Sequence, residues 1–321
     1  MGNGTYHSCQ DAGDVYCPCD LGLAGMCLSC PAMNDDDDCS RCAWSGACIL
    51  LQKEHHLDTT PHERSEVIVE VIGQRPIGAR AFLLTVRAPR YLLDGVRPPG
   101  SFLLMRPRRL PPRYNVPLTV AAIDGQKSCL SFYVQDVGVK SRTLTRPTTE
   151  IVARGPYRNG LIGIARLWQH PGVRVLIVAK GIGQGVAMRL TECLTERGYK
   201  VDVALGPGEI NVILGKERLR SLSAQIIDMP KTPDRNRQQL KEQLQRHPYG
   251  ALISAGSDQQ HRSLASLART CLASGPFVFT NNAVMSCAEG VCGSCQTQTG
   301  QGSTRACKAS DWPWPDEEDE Q

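Results

Sequence analysis

The sequence is short of long hydrophobic runs. No stretch of its 321 residues approaches about 18 uninterrupted apolar side chains, so none reads as a membrane-spanning helix. No basic start leads into an apolar run near residue 1, so a secretory leader is not expected and a cytoplasmic protein is. Charge of one sign is scarce as well. The 36 basic and 32 acidic residues leave +4, too little to imply nucleic acid. No internal repeat is visible. What is present, 41% hydrophobic and 21% charged residues, is the composition of a globular protein with a sizeable core. The length suits two domains with smaller modules attached.

Cysteine is scarce only in the middle. Cys129, Cys193 and Cys271 are the only ones between residues 49 and 286, whereas eight of the 15 precede residue 49 and four follow residue 286. Clustered thiols in a reducing compartment read as metal ligands rather than as a disulfide framework. Cys193 falls inside a helical run and reads as a small core residue.

Composition changes along the chain. Residues 1–58 are polar and cysteine-rich, include the acidic run from Asp35 to Asp38, and have too few apolar side chains to close a core without metal. Asp58 to Pro61 reads as a linker. Over 64–157, six short β segments are expected at 67–72, 81–86, 101–106, 117–122, 129–134 and 150–154, separated by turn residues. That spacing predicts a six-stranded antiparallel barrel. Over 158–280, apolar strands at 175–179, 201–205, 224–227, 251–254 and 277–280 alternate with helical runs ending at Arg197 and covering 234–246 and 259–272. This is the pattern of a parallel α/β sheet. Residues 281–310 form a second cysteine-rich arm, and 311–321 an acidic tail with six acidic and no basic side chains. The tail, with Trp312 and Trp314 beside it, could steer a basic partner.

The arm spaces its cysteines C-x4-C-x2-C-x11-C at Cys287, Cys292, Cys295 and Cys307. Four thiolates satisfy the irons of a [2Fe–2S] cluster, and the first three follow the plant-type ferredoxin spacing. Gly290 and Gly293 allow the loop to wrap so that backbone N–H groups face the sulfurs. Four thiolates would also suit a structural zinc ion. Glu289 reads as a solvated loop residue.

A barrel, an α/β layer and this terminal arm together resemble the ferredoxin reductase superfamily over residues 64–308. The likeness is to its FAD/[2Fe–2S] electron-transfer subunits, such as that of class 1B dihydroorotate dehydrogenase and the small subunit of NADH-dependent ferredoxin:NADP oxidoreductases. The resemblance implies FAD on the barrel, NAD(P)H on the α/β domain, and electron transfer to a partner oxidoreductase subunit or ferredoxin-like carrier in a hetero-oligomer. It places the flavin strand at Arg113, Tyr114, Asn115, Val116, Pro117, Leu118 and Thr119, with the Thr119 hydroxyl near flavin N5 as the catalytic contact. Val116 stands where the family has arginine, so Arg113 is expected to substitute. A phosphate-binding turn matches Gly138, Lys140 and Ser141, although Lys140 replaces a glycine. The crossing between domains matches Gly155, Pro156, Tyr157, Asn159 and Gly160.

For the nicotinamide nucleotide, Gly181, Gly183 and Gly185 lie between a strand and a helix, where glycines let backbone approach a pyrophosphate at a helix start. Lys180 and Val186 depart from the family's usual glycine and proline. Gly206 and Glu209 follow the second strand, and an acidic side chain there suits a ribose 2′-OH, which favours NADH. Arg218 and Arg220 point weakly toward NADPH. Gly256, Ser257 and Asp258 occupy the place of the family's Cys-Gly-Pro, so its cysteine is missing.

In the N-terminal module, Cys17, Cys19, Cys27, Cys30, Cys39, Cys42 and Cys48 are candidate ligands of one or more further metal sites, either zinc or an additional iron–sulfur centre. Two C-x2-C pairs suggest one site from Cys27, Cys30, Cys39 and Cys42, leaving Cys17, Cys19 and Cys48, with Cys9, for a second. His55 and His56 are further candidates. Two competing readings stay open. One is a non-catalytic adaptor that docks a partner through this module; the other is a sulfide- or polysulfide-linked subunit using its thiols.

Overall fold

The structure, a computed structural model, describes residues 9–12, 14–33, 39–42, 48–54, 63–229, 233–272, 275–299 and 302–312. Asp35 to Asp38, the 58–61 linker, His55, His56, Trp314 and the acidic residues from Asp316 onward lie outside the described residues. The chain divides into two compact units, Glu66–Asn282 and a second formed jointly by Met1–Ser65 and Ala283–Gln321. The module and the arm, at opposite ends of the sequence, therefore fold as one body.

The larger unit begins with seven strands: β1 (Glu66–Gly78), β2 (Ala81–Arg87), β3 (Phe102–Pro107), β4 (Val116–Thr119), β5 (Ala122–Asp124), β6 (Cys129–Gln135) and β7 (Glu150–Tyr157). They pair antiparallel in the order β4-β3-β7-β1-β2-β6-β5. Alternation puts Leu130, Phe132 and Val134 of β6 into a core shared with Leu84, Val86, Leu103, Met105 and Ile151.

The expected strand at 117–122 is really two. Val120 N–H donates to the Ser101 carbonyl beside β3, and the next residue, Ala121, donates to the Ser131 carbonyl on β6. Adjacent residues thus bond opposite edges of the sheet and close it. The count is seven rather than six because this crossing interrupts an apolar run that looks continuous in sequence.

A six-stranded sheet follows: β8 (Leu161–Ile162), β9 (Arg174–Lys180), β10 (Lys200–Gly206), β11 (Gln225–Asp228), β12 (Tyr249–Ala255) and β13 (Phe277–Thr280), in the order β11-β10-β9-β12-β13-β8. All neighbours are parallel except β8, which runs antiparallel to β13 through Phe279↔Ile162 and Thr280↔Leu161. The sheet is therefore mixed, where an all-parallel one was expected; a two-residue strand leaves no periodic trace.

The apolar run in β9 is continuous because both faces are covered. Val175, Ile177 and Ala179 pack against Ala187, Leu190 and Leu194 of helix Gln184–Glu196. Leu176 and Val178 face the other way, onto Leu240 and Leu244 of helix Pro233–Arg246 and Leu264 and Leu267 of helix Asp258–Cys271. Cys193 is buried within the first of these helices, as its mid-helix position predicts.

The described residues of the smaller unit form short helical segments at Asp20–Leu23 and Ile49–Glu54, and a hairpin of β14 (Gln296–Thr299) and β15 (Gly302–Arg305). Among its described residues, Cys27, Cys30 and Ile49 form one buried apolar cluster, and Leu21, Met285 and Trp312 are buried as well. The two chain ends are joined by a bridge between Cys9 and Ala309 and by the Gln10 N–H donating to the Lys308 carbonyl at 2.8 Å.

Candidate functional site

On the barrel, Arg113 and Tyr114 lie on the turn Pro112–Tyr114, and the Arg113 guanidinium sits 5.6 Å from the Tyr114 ring centre. Asn115 is buried, Leu118 is buried on β4, and Thr119 is half-buried and opposite Phe102. The arginine that anchors this strand is Arg106, which the sequence reading missed. It forks onto both oxygens of Glu66 at 2.7 Å and donates to Asn115 Oδ1 at 3.1 Å and the Leu110 carbonyl at 2.8 Å. Arg106 is buried. An arginine in the middle of an apolar strand was the available signal, since such a charge stays buried only when paired.

Gly138 caps the five-residue helix Val139–Thr143 in an extended conformation, and a Cβ built there meets nothing within 4 Å. The open space leaves room for a phosphate. The Ser141 hydroxyl, expected to face that phosphate, is engaged within the turn. It accepts from the N–H groups of Val137 and Gly138, at 3.0 and 3.1 Å, and donates to the Gly138 carbonyl.

Gly155, Pro156, Tyr157, Asn159 and Gly160 are all buried and shape the passage from barrel to α/β sheet. Tyr157 stacks on Phe102 with ring centres 5.1 Å apart, and a Cβ on Gly160 would fall 2.2 Å from the Gly100 carbonyl oxygen.

At the carboxyl ends of β9, β10 and β12, the glycines fit loops against one another, and this is where an open α/β sheet places its crevice. A Cβ on Gly183 would lie 2.2 Å from the Ala255 carbonyl oxygen, and one on Gly208 would lie 2.6 Å from Gly181 Cα. A Cβ on Gly185 would fall 2.4 Å from the Tyr133 ring, and Glu209 accepts from Gln135 Nε2 at 3.0 Å. Ser257 caps helix Asp258–Cys271 by accepting from Gln260 N–H. Arg218 pairs with Glu192.

A second feature that the motifs did not flag is His261, fully buried beside Gly256. Its Nδ1 lies 2.7 Å from Ser254 Oγ, and its Nε2 lies 3.0 Å from Thr280 Oγ1 and 3.1 Å from Asn282 Nδ2. Burial pushes the His261 pKa down to about 4, so the ring is neutral at pH 7.

In the smaller unit, Cys295 and Cys307 are buried, Cys287 is half-buried and Cys292 is exposed. Ala288, Gly290 and Gly293 are left-handed, at φ of 57°, 82° and 75°, and they fold the loop back on its own sulfurs. The N–H of Glu289 points at Cys287 Sγ (3.3 Å), that of Gly290 at Cys307 Sγ (3.2 Å), and Ser294 Oγ stands 3.2 Å from Cys292 Sγ. The Cys307 thiol hydrogen-bonds to Cys287 and Cys295, which holds Cys287 down at about 4 and Cys295 at about 6 while Cys307 itself is pushed up.

The four thiols of this arm, with backbone donors at the Cys287 and Cys307 sulfurs, fit a [2Fe–2S] cluster, whose negative charge such donors stabilise. Among the described residues no three His, Cys, Asp or Glu side chains converge as ligands of one ion. A two-iron cluster does not require that, because it divides four thiolates between two irons. Glu289 is not the solvated residue expected: Arg64 reaches it at 3.1 Å and Lys308 at 3.5 Å.

In the module, Cys9, Cys17, Cys19 and Cys27 line one narrow cavity. Cys30 packs beside Cys27, whereas Cys39, Cys42 and Cys48 are exposed. Among the described residues no three of Cys27, Cys30, Cys39 and Cys42 converge on one ion.

No protein-family model matches the sequence, and no curated protein does. Solved structures do. The NADH-dependent reduced ferredoxin-NADP oxidoreductase studied for flavin-based electron bifurcation matches at TM-score 0.60 and 18% identity, covering 80% of this chain and 88% of that one. The ferredoxin reductase of carbazole 1,9a-dioxygenase, in its FAD apo form, matches at TM-score 0.50 and 14% identity, covering 67% of each chain. The fold is that of the ferredoxin reductases.

Proposed function

We propose that the protein is a flavin and iron–sulfur oxidoreductase subunit that moves electrons between NAD(P)H and a partner protein, holding FAD on the barrel and a [2Fe–2S] cluster on Cys287, Cys292, Cys295 and Cys307. One observation carries the reading: four clustered thiols with backbone donors aimed at their sulfurs, on a chain with the ferredoxin-reductase fold. Bound flavin supplies the exchange between two-electron hydride chemistry and the one-electron chemistry of an iron–sulfur cluster.

The chain's own part is positional. Arg106 and Glu66 fix the Asn115 end of the strand that carries Thr119, so that the hydroxyl is presented to the ring. The open face at Gly138, next to the helix start, receives the pyrophosphate, with the Lys140 ammonium close by in sequence. The loops bearing Gly181, Gly206 and Gly256 receive the nicotinamide nucleotide, with Glu209 suited to a ribose hydroxyl and hence to NADH. Cys292 and its neighbour Val291 are both exposed and form the face offered to a partner oxidoreductase subunit or ferredoxin-like carrier.

Anaerobically reconstituted protein should bind about one FAD per chain and show the EPR signal of a reduced two-iron centre. Cys292→Ser should abolish that signal and leave the flavin in place. Folded protein that takes up neither flavin nor iron would refute the proposal.

A second reading, a non-catalytic adaptor, draws on the engaged Ser141 hydroxyl and on the glycines already packed against backbone at Gly183 and Gly208. NADH-dependent reduction of an artificial acceptor separates the two, since only the oxidoreductase turns over.

A further inference from the structure

We infer that Cys9, Cys17, Cys19 and Cys27 are the ligands of a second iron–sulfur cluster, in the N-terminal module. They form a pattern that pairing of C-x2-C motifs does not reveal, C-x7-C-x-C-x7-C, with spacing symmetric about residue 18. The fold brings all four to one enclosed cavity floored by Leu21, Gly22 and Ile49. Cys17 feels the charges of Cys19 and Cys27, and Cys9 that of Cys19.

Three further observations bear on the site. Cys27 is buried and Cys9, Cys17 and Cys19 are half-buried, so all four are drawn in from solvent. Among the described residues no three such side chains meet at the point a lone ion would occupy; a cluster does not require that, because it gives the thiolates separate irons. The fully buried Lys308 ammonium lies within electrostatic reach of Cys9 and Cys19, beside the Asp11 carboxylate that pairs with it and lines the same cavity.

The site is built from both ends of the chain. Cys9 bridges to Ala309, its N–H donates to Ser29 Oγ at 3.1 Å, and Gln10 Nε2 donates to the Cys307 carbonyl at 2.7 Å. The segment 307–309 thus carries a ligand of the C-terminal cluster at one end and braces a ligand of the second cluster at the other. The assignment does not depend on the C-terminal cluster, so either can fail alone.

The full chain, reconstituted with iron and sulfide without oxygen, should hold well over the roughly two irons of a single [2Fe–2S] cluster. Cys9, Cys17, Cys19 and Cys27 should resist iodoacetamide until a chelator strips the iron and should react afterwards, as mass spectrometry of the wild type can show; Cys39 and Cys48 should react throughout. Cys17→Ser with Cys19→Ser should lower the iron to about two per chain while the C-terminal EPR signal and one bound flavin persist. In Cys292→Ser the converse is expected, with only the module's iron kept. The inference is overturned if Cys17→Ser with Cys19→Ser leaves the iron content of the wild type unchanged or if zinc occupies the module. It is equally overturned if chelation fails to expose those four thiols or if the extra iron is lost with Cys39→Ser and Cys42→Ser instead.

Discussion

The ammonium of Lys308 and the carboxylate of Asp11, 297 residues apart in sequence, form an ion pair in which both side chains are buried. Arg64, also buried, donates to the other oxygen of Asp11 and stacks over the Tyr16 ring at 3.8 Å. Both cations also reach Glu289, inside the C-x4-C loop. A charged knot therefore ties the cysteine-rich start of the chain to its cysteine-rich end. Burial alone would push the Lys308 pKa down, but the Asp11 carboxylate more than offsets it and the ammonium stays charged.

Asp11→Asn keeps the shape of the side chain and removes the charge that two buried cations share. Breaking one partner out of a buried pair costs about 3–5 kcal/mol. The unit formed by residues 1–65 and 283–321 should therefore open well before the 66–282 unit does. Limited proteolysis should cut the variant within the cysteine-rich ends while leaving the barrel and α/β sheet resistant. Wild-type resistance at those ends would show that the knot contributes nothing.

His261 makes a pH prediction. Its folded pKa is about 4 against about 6.5 when unfolded, so the unfolded chain binds more protons between those values. Stability should then rise with pH through this window and be lost as pH falls, by roughly 3 kcal/mol in all. Asp258, which favours the protonated ring, moderates the effect. Denaturant titrations from pH 4 to 7 should show this slope in the wild type and a flatter one in His261→Gln. Parallel curves would assign the pH dependence to other groups.

Arg106→Lys tests the anchor beneath the flavin strand. An ammonium cannot reproduce a fork onto both oxygens of Glu66 together with bonds to Asn115 and the Leu110 carbonyl. Losing about one such charge-assisted bond should lower the stability of the barrel by about 2 kcal/mol. If the strand presents Thr119 to the ring, flavin content should fall with it. Arg113→Lys, at a side chain with no anchoring role here, should change stability little.

The order of domains was legible in the sequence because periodicity changes where the fold does. Strand and turn spacing marked the barrel, and the run at 175–179 marked a strand covered on both faces. Boundaries differed by up to three residues, apart from the run at 117–122 and the first strand, which continues six residues past its expected end to Gly78. That run was misread because Val120 and Ala121 cross between sheet edges, an event set by partners some 20 residues back and 10 ahead. The same blindness to distant partners explains Glu289 and Ser141. An acidic residue between cysteines looks solvated until Arg64 and Lys308 are folded onto it, and a serine at a helix start looks available until it caps its own turn. In the cysteine-rich module, spacing draws the eye to C-x2-C pairs, whereas the shared cavity of Cys9, Cys17, Cys19 and Cys27 depends on contacts with the far end of the chain that spacing does not show.

Two glycines that look alike in sequence should behave oppositely when given a methyl group. At Gly183 the added Cβ would sit 2.2 Å from the Ala255 carbonyl oxygen, which is backbone and cannot rotate away. Gly183→Ala must shift the turn between β9 and helix Gln184–Glu196, at a cost of about 1–3 kcal/mol, and should lower the melting midpoint. At Gly138 the backbone is extended, which any residue adopts, and the Cβ position is open. Gly138→Ala should leave stability within about 0.5 kcal/mol of wild type. If the flavin pyrophosphate occupies that open space, the methyl group displaces it, and FAD affinity should drop about tenfold, or 1.4 kcal/mol. A melting midpoint and an affinity that are both unchanged would place the phosphate elsewhere, because nothing in the protein itself contests the site.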